Sequence, residues 1–153
     1  MSGPLHVRLA TDADLPAARH LVQDAGLPLD GFGEAAVVLV ALRSGHLLGV
    51  AALEDRIDEH GRAFLLRSVA VRADARGHGI GTALTHAALR HVDRSGAPVA
   101  LLTETAPDWF PRFAFAAVDR AALPSALEQS EELRGACAES AVPLLREPQP
   151  PTG

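Results

Sequence analysis

Apolar residues recur in the first part of this chain at the spacing of a strand and then at that of a helix. The alternation over residues 6–10 predicts a short strand. Over residues 15–25, apolar side chains return every three or four positions, which predicts a helix with one buried face. Gly26 follows this segment and is suited to end the helix.

Three apolar runs follow and predict an antiparallel meander. Residues 36–42 are almost all apolar, and residues 47–53 form a second run behind the turn residues Ser44-Gly45, which is typical of a hairpin. We expect the charged stretch over residues 54–62 to be a loop. The third strand of the meander is predicted over residues 64–71, which are rich in branched and large apolar side chains.

The second half of the chain alternates helix and strand patterns. Apolar residues at helical spacing from Ile80 to Val92 predict an amphipathic helix. The elements predicted after it are a strand over 99–103, a short helix that a capping box at Thr105–Asp108 begins and Pro111 ends, a strand at 117–118, a helical segment over 124–135 and a final strand over 141–145. This order predicts a single-domain α/β fold over residues 1–146, with a mixed, mostly antiparallel sheet flanked by helices. Residues 147–153 then form a flexible, proline-rich tail.

Composition and charge narrow the class of protein. With 153 residues and 48% apolar content, the chain is long enough to bury one sizeable core. Its formal net charge of −5 argues against a nucleic-acid surface, and no apolar run approaches the roughly 20 residues that span a membrane. The first residues lack a signal-peptide pattern, and the single cysteine, Cys137, excludes an internal disulfide. We therefore expect a cytoplasmic protein.

A glycine-rich turn over residues 76–82, Arg-Gly-His-Gly-Ile-Gly-Thr, separates the third meander strand from the amphipathic helix. The backbone N–H groups of such a turn can close around an anion, and the positive end of the helix dipole adds attraction. Arg76 brings a full positive charge to the same place. The segment therefore predicts a phosphate-binding turn.

Two common phosphate-binding motifs fit this turn poorly. A dinucleotide fold needs G-x-G-x-x-G after its first strand, whereas here the third glycine position is Thr82 and the turn follows a meander. Glu104 stands where an acid that binds a ribose would fall, so NAD stays an alternative to test. Neither Gly-Lys-Ser nor Gly-Lys-Thr occurs, which excludes a P-loop.

Two segments resemble a known family. Val69-Ala70-Val71 followed by Arg76-x-x-Gly79-x-Gly81 resembles the central motif of the GNAT N-acetyltransferases, which carry Arg/Gln-x-x-Gly-x-Gly/Ala after a strand. Residues 106–115 resemble the family stretch Ala-x-x-x-Tyr-x-Lys-x-Gly-Phe, and the order of predicted elements is similar over nearly the whole chain. The resemblance implies the GNAT fold and acetyl-CoA as co-substrate.

The resemblance also implies a role for each part of the motif. The backbone of Val69-Ala70-Val71 would pair with the pantetheine arm as an added strand does, and Arg76 would lie near the phosphates. The pyrophosphate would be held by the backbone amides of Gly77, His78, Gly79, Ile80, Gly81 and Thr82.

Phe110 stands where a tyrosine of the family often protonates the leaving thiolate, and we expect it to contact the cofactor. The chain contains no tyrosine, which excludes tyrosine acid catalysis. A thiol with a pKa of about 8.5 can leave as the thiolate, so the loss is tolerable. In this family the amine attacks the thioester directly, and the protein holds the reactants and stabilises the oxyanion. We expect the N–H of Val69 to serve the oxyanion.

Two carboxylates are candidates for the general base. Glu54 follows the second meander strand, where relatives often have a carboxylate, and it is slightly preferred. Glu104 ends a strand near the expected acetyl group, and either residue could instead be a solvated charge at a strand end. Arg67 lies inside an otherwise apolar strand and needs a partner. That partner is either a substrate carboxylate, which would make Arg67 a substrate-binding residue, or Glu54 or Glu104 in an ion pair.

The C-terminal residues carry a finer resemblance. Residues 121–124 and 130–141 look like those of a GNAT subgroup named for arsenic-resistance operons and of related members similar to N-acetylglutamate synthase. We expect the acceptor to be the primary amine of a small compound of amino-acid-like or organoarsenical type. The seven histidines have no metal-ligand spacing, so we expect no metal.

The missing tyrosine leaves one alternative of another class, a non-catalytic acyl-CoA-binding or sensor domain of the same fold. The final strand is compatible with a homodimer.

Overall fold

Seven strands form one sheet in the computed structural model, which describes residues 3–137 and 139–149. The strands are β1 (Leu5–Leu9), β2 (Val37–Arg43), β3 (His46–Asp58), β4 (Gly61–Val71), β5 (Val99–Thr103), β6 (Ala116–Ala117) and β7 (Val142–Arg146). They lie in the order β1-β2-β3-β4-β5-β7-β6, and every neighbouring pair is antiparallel except β4 and β5. The predicted fold class, a mixed and mostly antiparallel sheet flanked by helices, is confirmed.

The two predicted long helices pack on opposite faces of this sheet. They are α1 (Leu15–Asp24) and α2 (Ile80–Asp93). Successive strand residues point to opposite faces, so Leu39 packs in the core beneath α2 while Val40 packs in the core beneath α1. The apolar periodicity alone was enough to predict both helices because each buries one continuous apolar stripe.

Short helical segments complete the structure and correct two predictions. They are the 3₁₀ turns Asp12–Asp14, Phe32–Glu34, Ala73–Ala75, Phe110–Phe113, Arg120–Ala122 and Ser125–Gln129, and the π-helical turn Glu132–Ala136. The helix predicted from the Thr105–Asp108 capping box is wrong, since that stretch is a turn and a 3₁₀ segment follows it. The helix predicted over residues 124–135 is two short segments, and they cover the α1 face of the sheet beside β4 and β5.

The charged loop predicted between the second and third meander strands is also wrong. β3 continues through Glu54 to Asp58, and β4 already begins at Gly61, so these charges lie within a long hairpin. Pairing makes the charged residues compatible with strands: Arg62 Nε lies 3.1 Å from Asp55 Oδ1, and Arg56 Nη2 lies 2.7 Å from Glu54 Oε1. Glu54 is therefore a mid-strand residue.

The ends of the chain add little to the fold. Residues 147–149 of the predicted tail follow β7 without forming a helix or strand, and residues 150–153 lie outside the described part. The first two residues, which entered the signal-peptide prediction, lie outside it as well. Across the ranges that the structure covers, no helix has the length and apolar character to span a membrane.

Candidate active site

β4 and β5 separate soon after they meet. Their parallel pairing is limited to Phe64 with Val99 and Leu65 with Ala100. From Arg67 onward, β4 has no partner from β5 in the sheet register, so one backbone edge of the strand faces a gap. An unpaired edge in the middle of a sheet offers N–H and C=O groups to an extended ligand.

A β-bulge lies on β4 where the gap opens. Val50 of β3 pairs with Ala70 and Ala52 pairs with Arg67, so one residue of β3 stands opposite two residues of β4, Ser68 and Val69. Ser68 has a φ of 60°, which is unusual for a residue with a side chain. The bulge thus requires a left-handed backbone conformation at Ser68.

The bulge turns the backbone of Val69 toward the gap. The N–H of Arg72 donates to Leu48 O of β3 at 2.8 Å, so the alternation of an extended strand directs the backbone groups of Val69 and Val71 to the opposite side. Before the bulge the N–H of Phe64 points toward β5, where it donates to Pro98 O at 3.0 Å. Without the bulge, the alternation that starts from Phe64 would direct the backbone groups of Val69 toward β3.

The glycine-rich turn lies at the end of this gap. Gly77 and Gly79 have φ angles of 82° and 79°, and a Cβ added at either would meet no other atom within 4 Å. Gly79 is the N-cap of α2, and no side chain of the described residues caps this helix, so its first N–H groups face outward. His78 is exposed, and Arg76 is exposed with its Nε 3.1 Å from Val71 O. The space and the free N–H groups suit an anion.

Two aromatic residues form a wall of the gap. Trp109 and Phe110 pack edge to face with ring centroids 4.8 Å apart, and Phe110 also packs against Phe115 at 5.9 Å. A Cβ built on Gly81 would lie 3.7 Å from the indole ring of Trp109. Phe110 was predicted from the sequence as a cofactor contact and Trp109 was not, although its place next to Phe110 in the same apolar segment was a usable signal.

These elements enclose a cleft of about 720 Å³. The sequence-predicted residues that line it are Arg67, Val69, Ala70, Val71, Arg76, Gly81, Glu104 and Phe110. Gly77, His78, Gly79, Ile80 and Thr82 are not on its wall but belong to the adjoining turn and first helical residues. The structure thus brings one group of predicted residues to one cleft and leaves Glu54 outside its lining.

Glu54 is buried beneath the cleft in a network of cations. Its side chain is 1% exposed, and Arg67 Nη1 donates to its Oε2 at 2.9 Å. Arg56 donates to its Oε1 through Nε at 3.0 Å and Nη2 at 2.7 Å, and the Ser130 hydroxyl donates to Oε2 at 3.0 Å. Both oxygens are therefore occupied, and this geometry does not favour Glu54 as a base. Of the partners considered for Arg67, the ion pair with Glu54 is the one observed.

Arg67 is held on every side by the protein. Besides Glu54, it donates from Nη2 to Pro28 O at 3.0 Å and from Nε to the Ser68 hydroxyl at 3.2 Å. Its Nε also lies 3.3 Å from Glu132 Oε2. Arg67 is also a lining residue of the cleft, and its side chain, which is 0% exposed, places a fixed positive charge behind the cleft wall.

Glu104, the second candidate base, lies at the rim of the cleft. It is exposed, and the Ser140 hydroxyl donates to its Oε1 at 3.2 Å. Its neighbour Thr103 accepts from the Ala106 N–H at 3.0 Å, which shapes the turn after β5.

Glu132 and Cys137 are cleft residues that the sequence analysis did not assign to the chemistry. Glu132 is 3% exposed. Burial raises the pKa of Glu132 to about 7, although the nearby charge of Arg67 and the Cys137 thiol oppose this shift. The low polarity of the same surroundings and the adjacent Glu132 raise the pKa of Cys137 to about 12, so this thiol stays protonated. From the sequence, residues 130–135 were predicted to be part of a helix but received no role in the site, because their place against β4 depends on the folded chain.

A family comparison identifies this arrangement. A sequence model of the acetyltransferase (GNAT) domain matches residues 34–117, more than half of the chain. The protein belongs to the GNAT acetyltransferase family. The match contains the meander, the glycine-rich turn, α2, β5 and the aromatic segment, so the family region includes most of the cleft.

Solved structures of this fold have been determined with CoA. The N-acetylglutamate synthase of Neisseria gonorrhoeae, in complex with coenzyme A and N-acetyl-glutamate, matches 98% of this GNAT chain with a TM-score of 0.79 and 18% identity. The chain corresponds to only 36% of the length of that synthase. Rv2747 of Mycobacterium tuberculosis, in complex with CoA and NLQ, has a TM-score of 0.75 and 21% identity, with 93% of this chain and 98% of that one matched.

A third neighbour has been solved with a bisubstrate analogue. Naa50 of Arabidopsis thaliana, in complex with the bisubstrate analogue CoA-Ac-MVNAL, has a TM-score of 0.71 and 17% identity over 94% of this chain and 98% of that one. The TM-scores of these three neighbours support the GNAT fold, as predicted from the sequence. No curated protein sequence matches the chain. Among the residues that the structure covers, no group of three His, Cys, Asp or Glu side chains could hold a metal ion.

Proposed function

We propose that this GNAT protein is an acetyl-CoA-dependent N-acetyltransferase that acetylates the primary amine of a small, amino-acid-like compound by direct attack. One observation carries the proposal: a single cleft joins the open edge of β4, the N-terminus of α2 and the buried cation Arg67. A phosphate-bearing extended ligand suits the first two features, and an anionic group of an acceptor suits the third.

The residues of the glycine-rich turn fit a pyrophosphate. Gly77 and Gly79 leave open space where side chains would project, and the uncapped start of α2 offers N–H groups. We propose that the backbone from Gly77 to Thr82 binds the phosphates beside Arg76, and that Val69, Ala70 and Val71 pair with the pantetheine arm. When bound, acetyl-CoA supplies an activated thioester carbonyl.

The backbone N–H of Val69 is our candidate for the oxyanion donor. The bulge directs it into the cleft, and a donor fixed in this way costs no reorganisation as charge develops. Phe110 lines the same cleft without a hydroxyl group, which is consistent with departure of the thiolate in unprotonated form. Glu104 and Glu54 were the sequence-based candidates for the base, and Glu54 is the less suited because both its oxygens are occupied.

Arg67 supports an acceptor that carries a carboxylate. Its guanidinium is buried and fixed by several partners, and Arg67 belongs to the cleft wall, so its positive charge attracts an anionic group of the acceptor without further ordering of the side chain. The N-acetyl-glutamate bound by the Neisseria synthase supports this class of acceptor. The resemblance of residues 130–141 to the arsenic-resistance subgroup adds organoarsenical amines to the compounds that we propose to test.

The experiment that tests the acetyltransferase proposal measures the free thiol released from acetyl-CoA with each amine of a panel. The panel contains free amino acids, the corresponding amino-acid amides, short peptides with a free N-terminus and an aminophenylarsonate. We expect release with free amino acids and a KM at least about tenfold higher for the amides, because the carboxylate partner of Arg67 is then missing.

Calorimetric titration with acetyl-CoA and with NAD separates the other outcomes. Binding of acetyl-CoA without release on any amine would contradict the enzymatic proposal and favour the acyl-CoA sensor. Binding of NAD in place of acetyl-CoA would overturn the assignment of the glycine-rich turn.

We propose that residues 1–146 form the acetyltransferase domain and residues 147–153 a tail. We also propose a cytoplasmic location, which the single cysteine supports, and a homodimer as the state to examine by light scattering.

A further inference from the structure

Glu132 is the buried carboxylate on the wall of the cleft. Its side chain is 4% exposed, and its Oε2 lies 3.3 Å from Arg67 Nε. The backbone N–H of Glu132 donates to the Ser130 hydroxyl at 3.3 Å, and that hydroxyl donates in turn to Glu54 Oε2 at 3.0 Å. The carboxylate is thus held by Arg67 of β4, and the backbone of its short segment near the C-terminus is linked through Ser130 to Glu54 of β3.

The other carboxylates near the cleft are less suited to take a proton from a substrate. Asp30 and Glu104 line it but are exposed to water. Glu54 is absent from the lining, and four hydrogen bonds occupy its two oxygens. Glu132 combines burial with a place on the cleft wall, and its ionic contact is with one cation, Arg67.

We propose that Glu132 is the proton acceptor for the acceptor amine, a catalytic residue that contacts the substrate ammonium group. The proposal rests on the proposed acetyltransferase function and names the base that this function needs. The adjacent charges of Arg67 and Glu132 also complement those of an amino-acid head group, since the cation attracts its carboxylate and the anion its ammonium.

The charges around Glu132 suit this task. Arg67 of β4 faces it directly, Glu54 of β3 lies beyond Arg67, and Cys137 donates its thiol hydrogen to the Glu132 carboxylate. Glu104 acts on the group only from the rim, through its effect on Cys137. Burial outweighs the attraction of Arg67 and raises the pKa of Glu132 to about 7. A base is most effective when its pKa is near the working pH.

The proton balance follows from these groups. Glu132 takes one proton from the substrate ammonium and becomes a neutral carboxylic acid. The amine nitrogen then attacks the thioester carbonyl carbon, a C–N bond forms, and the C–S bond breaks with its electron pair passing to sulfur. The second ammonium proton leaves to the departing thiolate or to water, and Glu132 returns its own proton to water.

The test compares Glu132→Gln with Glu131→Gln, a matched control in which an exposed neighbouring glutamate loses the same charge. With wild-type protein and the best amine of the panel, we expect a rate at saturating acetyl-CoA that rises with pH around an apparent pKa near 7. Glu132→Gln should lower this rate by about 100-fold or more and abolish that rise. Glu131→Gln should match the wild type.

Two further measurements separate proton transfer from a structural role. With hydroxylamine as the acceptor, which is largely uncharged at neutral pH, the loss in Glu132→Gln should shrink to a few-fold. An infrared difference titration of wild type against Glu132→Gln should show a protonated carboxyl band that disappears near pH 7, whether or not turnover is measured.

Each outcome bears on the proposal. Loss of the rise with pH in Glu132→Gln, together with acetyl-CoA affinity equal to that of the wild type, supports the base. An active wild type whose rate and pH profile are unchanged by Glu132→Gln overturns the base and leaves the acetyltransferase proposal intact. A wild type that binds acetyl-CoA and acetylates no amine overturns the acetyltransferase proposal and the role of Glu132 with it. If Glu132→Gln fails to fold, Glu132→Asp should have a lower rate that rises with pH around a shifted apparent pKa, and a rate and pH profile identical to those of the wild type overturn the base.

Discussion

Arg67 Nη1 lies 2.9 Å from Glu54 Oε2, and the two side chains are 0% and 1% exposed. The two residues sit on adjacent strands and on the same face of the sheet, because Ala52 is the register partner of Arg67 and Glu54 lies two positions further along β3. A buried ion pair of this kind fixes the orientation of the Arg67 guanidinium behind the cleft wall. Removal of the ion pair should therefore lower the free energy of unfolding.

The first prediction concerns this pair. Glu54→Gln should lower the free energy of unfolding by about 3 kcal/mol, because Arg67 and Arg56 would lose their shared anion in a buried place. Urea unfolding at neutral pH measures the change. Asp55→Asn is the control: its partner Arg62 is 44% exposed, and the expected loss is below about 1 kcal/mol. Equal losses in the two variants would contradict the role given to the buried pair.

The second prediction concerns the pH dependence of stability. The pKa of Glu132 is raised from 4.5 to about 7 in the folded protein, so between these values the folded chain binds a proton that the unfolded chain has released. The stability that this group contributes therefore falls as the pH rises through that window. Glu132→Gln cannot ionise at this position. The free energy of unfolding of Glu132→Gln, compared with that of the wild type, should therefore rise by about 3 kcal/mol between pH 4 and pH 8.

Parallel denaturation curves of the wild type and Glu132→Gln at several pH values measure this difference. Other titrating groups contribute equally to both proteins and cancel. A difference that stays constant from pH 4 to pH 8 would show that Glu132 has an ordinary affinity for protons.

The third prediction concerns the start of α2. Gly81→Val should weaken acetyl-CoA binding by about tenfold or more, since its side chain would project between Trp109 and Val71 into the cleft. Gly81→Ala tests the same position with a smaller group, and its loss of affinity should be smaller. Calorimetric titration measures both affinities.

Thermal unfolding provides the control for these two variants. Alanine in place of a helical glycine stabilises a helix by about 0.5–1 kcal/mol, so Gly81→Ala should unfold no earlier than wild type. Wild-type affinity in Gly81→Val would rule out close approach of the ligand to this helix.

The fourth prediction concerns the bulge on β4. Ser68 has a φ of 60°, a conformation that a β-branched side chain adopts at a cost of about 1–3 kcal/mol. Ser68→Val should therefore lower stability by that amount and lower the acetylation rate, because the bulge that turns the N–H of Val69 into the cleft is disfavoured. Ser68→Gly should retain most of the rate, since glycine accepts this backbone conformation. Equal acetylation rates in Ser68→Val and Ser68→Gly would show that the rate does not depend on the bulge.

The regular elements could be predicted from the sequence because each carries a local signal. Both long helices have an apolar stripe, and the strands 37–43 and 99–103 are short apolar runs. The segment from Glu54 to Asp58 could not be assigned in the same way. Charged residues at this density are typical of a loop. They form a strand here because their backbone pairs with β4 and their side chains form ion pairs.

The residues of the site likewise divide into those with a local sequence signal and those without one. The glycine-rich turn and the β4 segment before it are contiguous in the chain, so their motif predicted both the family and the place where phosphate would bind. The contact between Glu132 and Arg67 joins residues 65 positions apart and has no local pattern. The segment carrying Glu132 was predicted as one helix, whereas it forms a short turn beside β4.

The sequence by itself determined the family, the order of the main elements and the glycine-rich turn, because hydrophobic period and glycine spacing act over a few neighbouring residues. The tertiary structure alone decided the ionic environment of the cleft. It paired Glu54 with Arg67 and buried Glu132 on the cleft wall. Burial and the charges of distant residues govern how readily a carboxylate takes up a proton, and both exist only once the chain has folded.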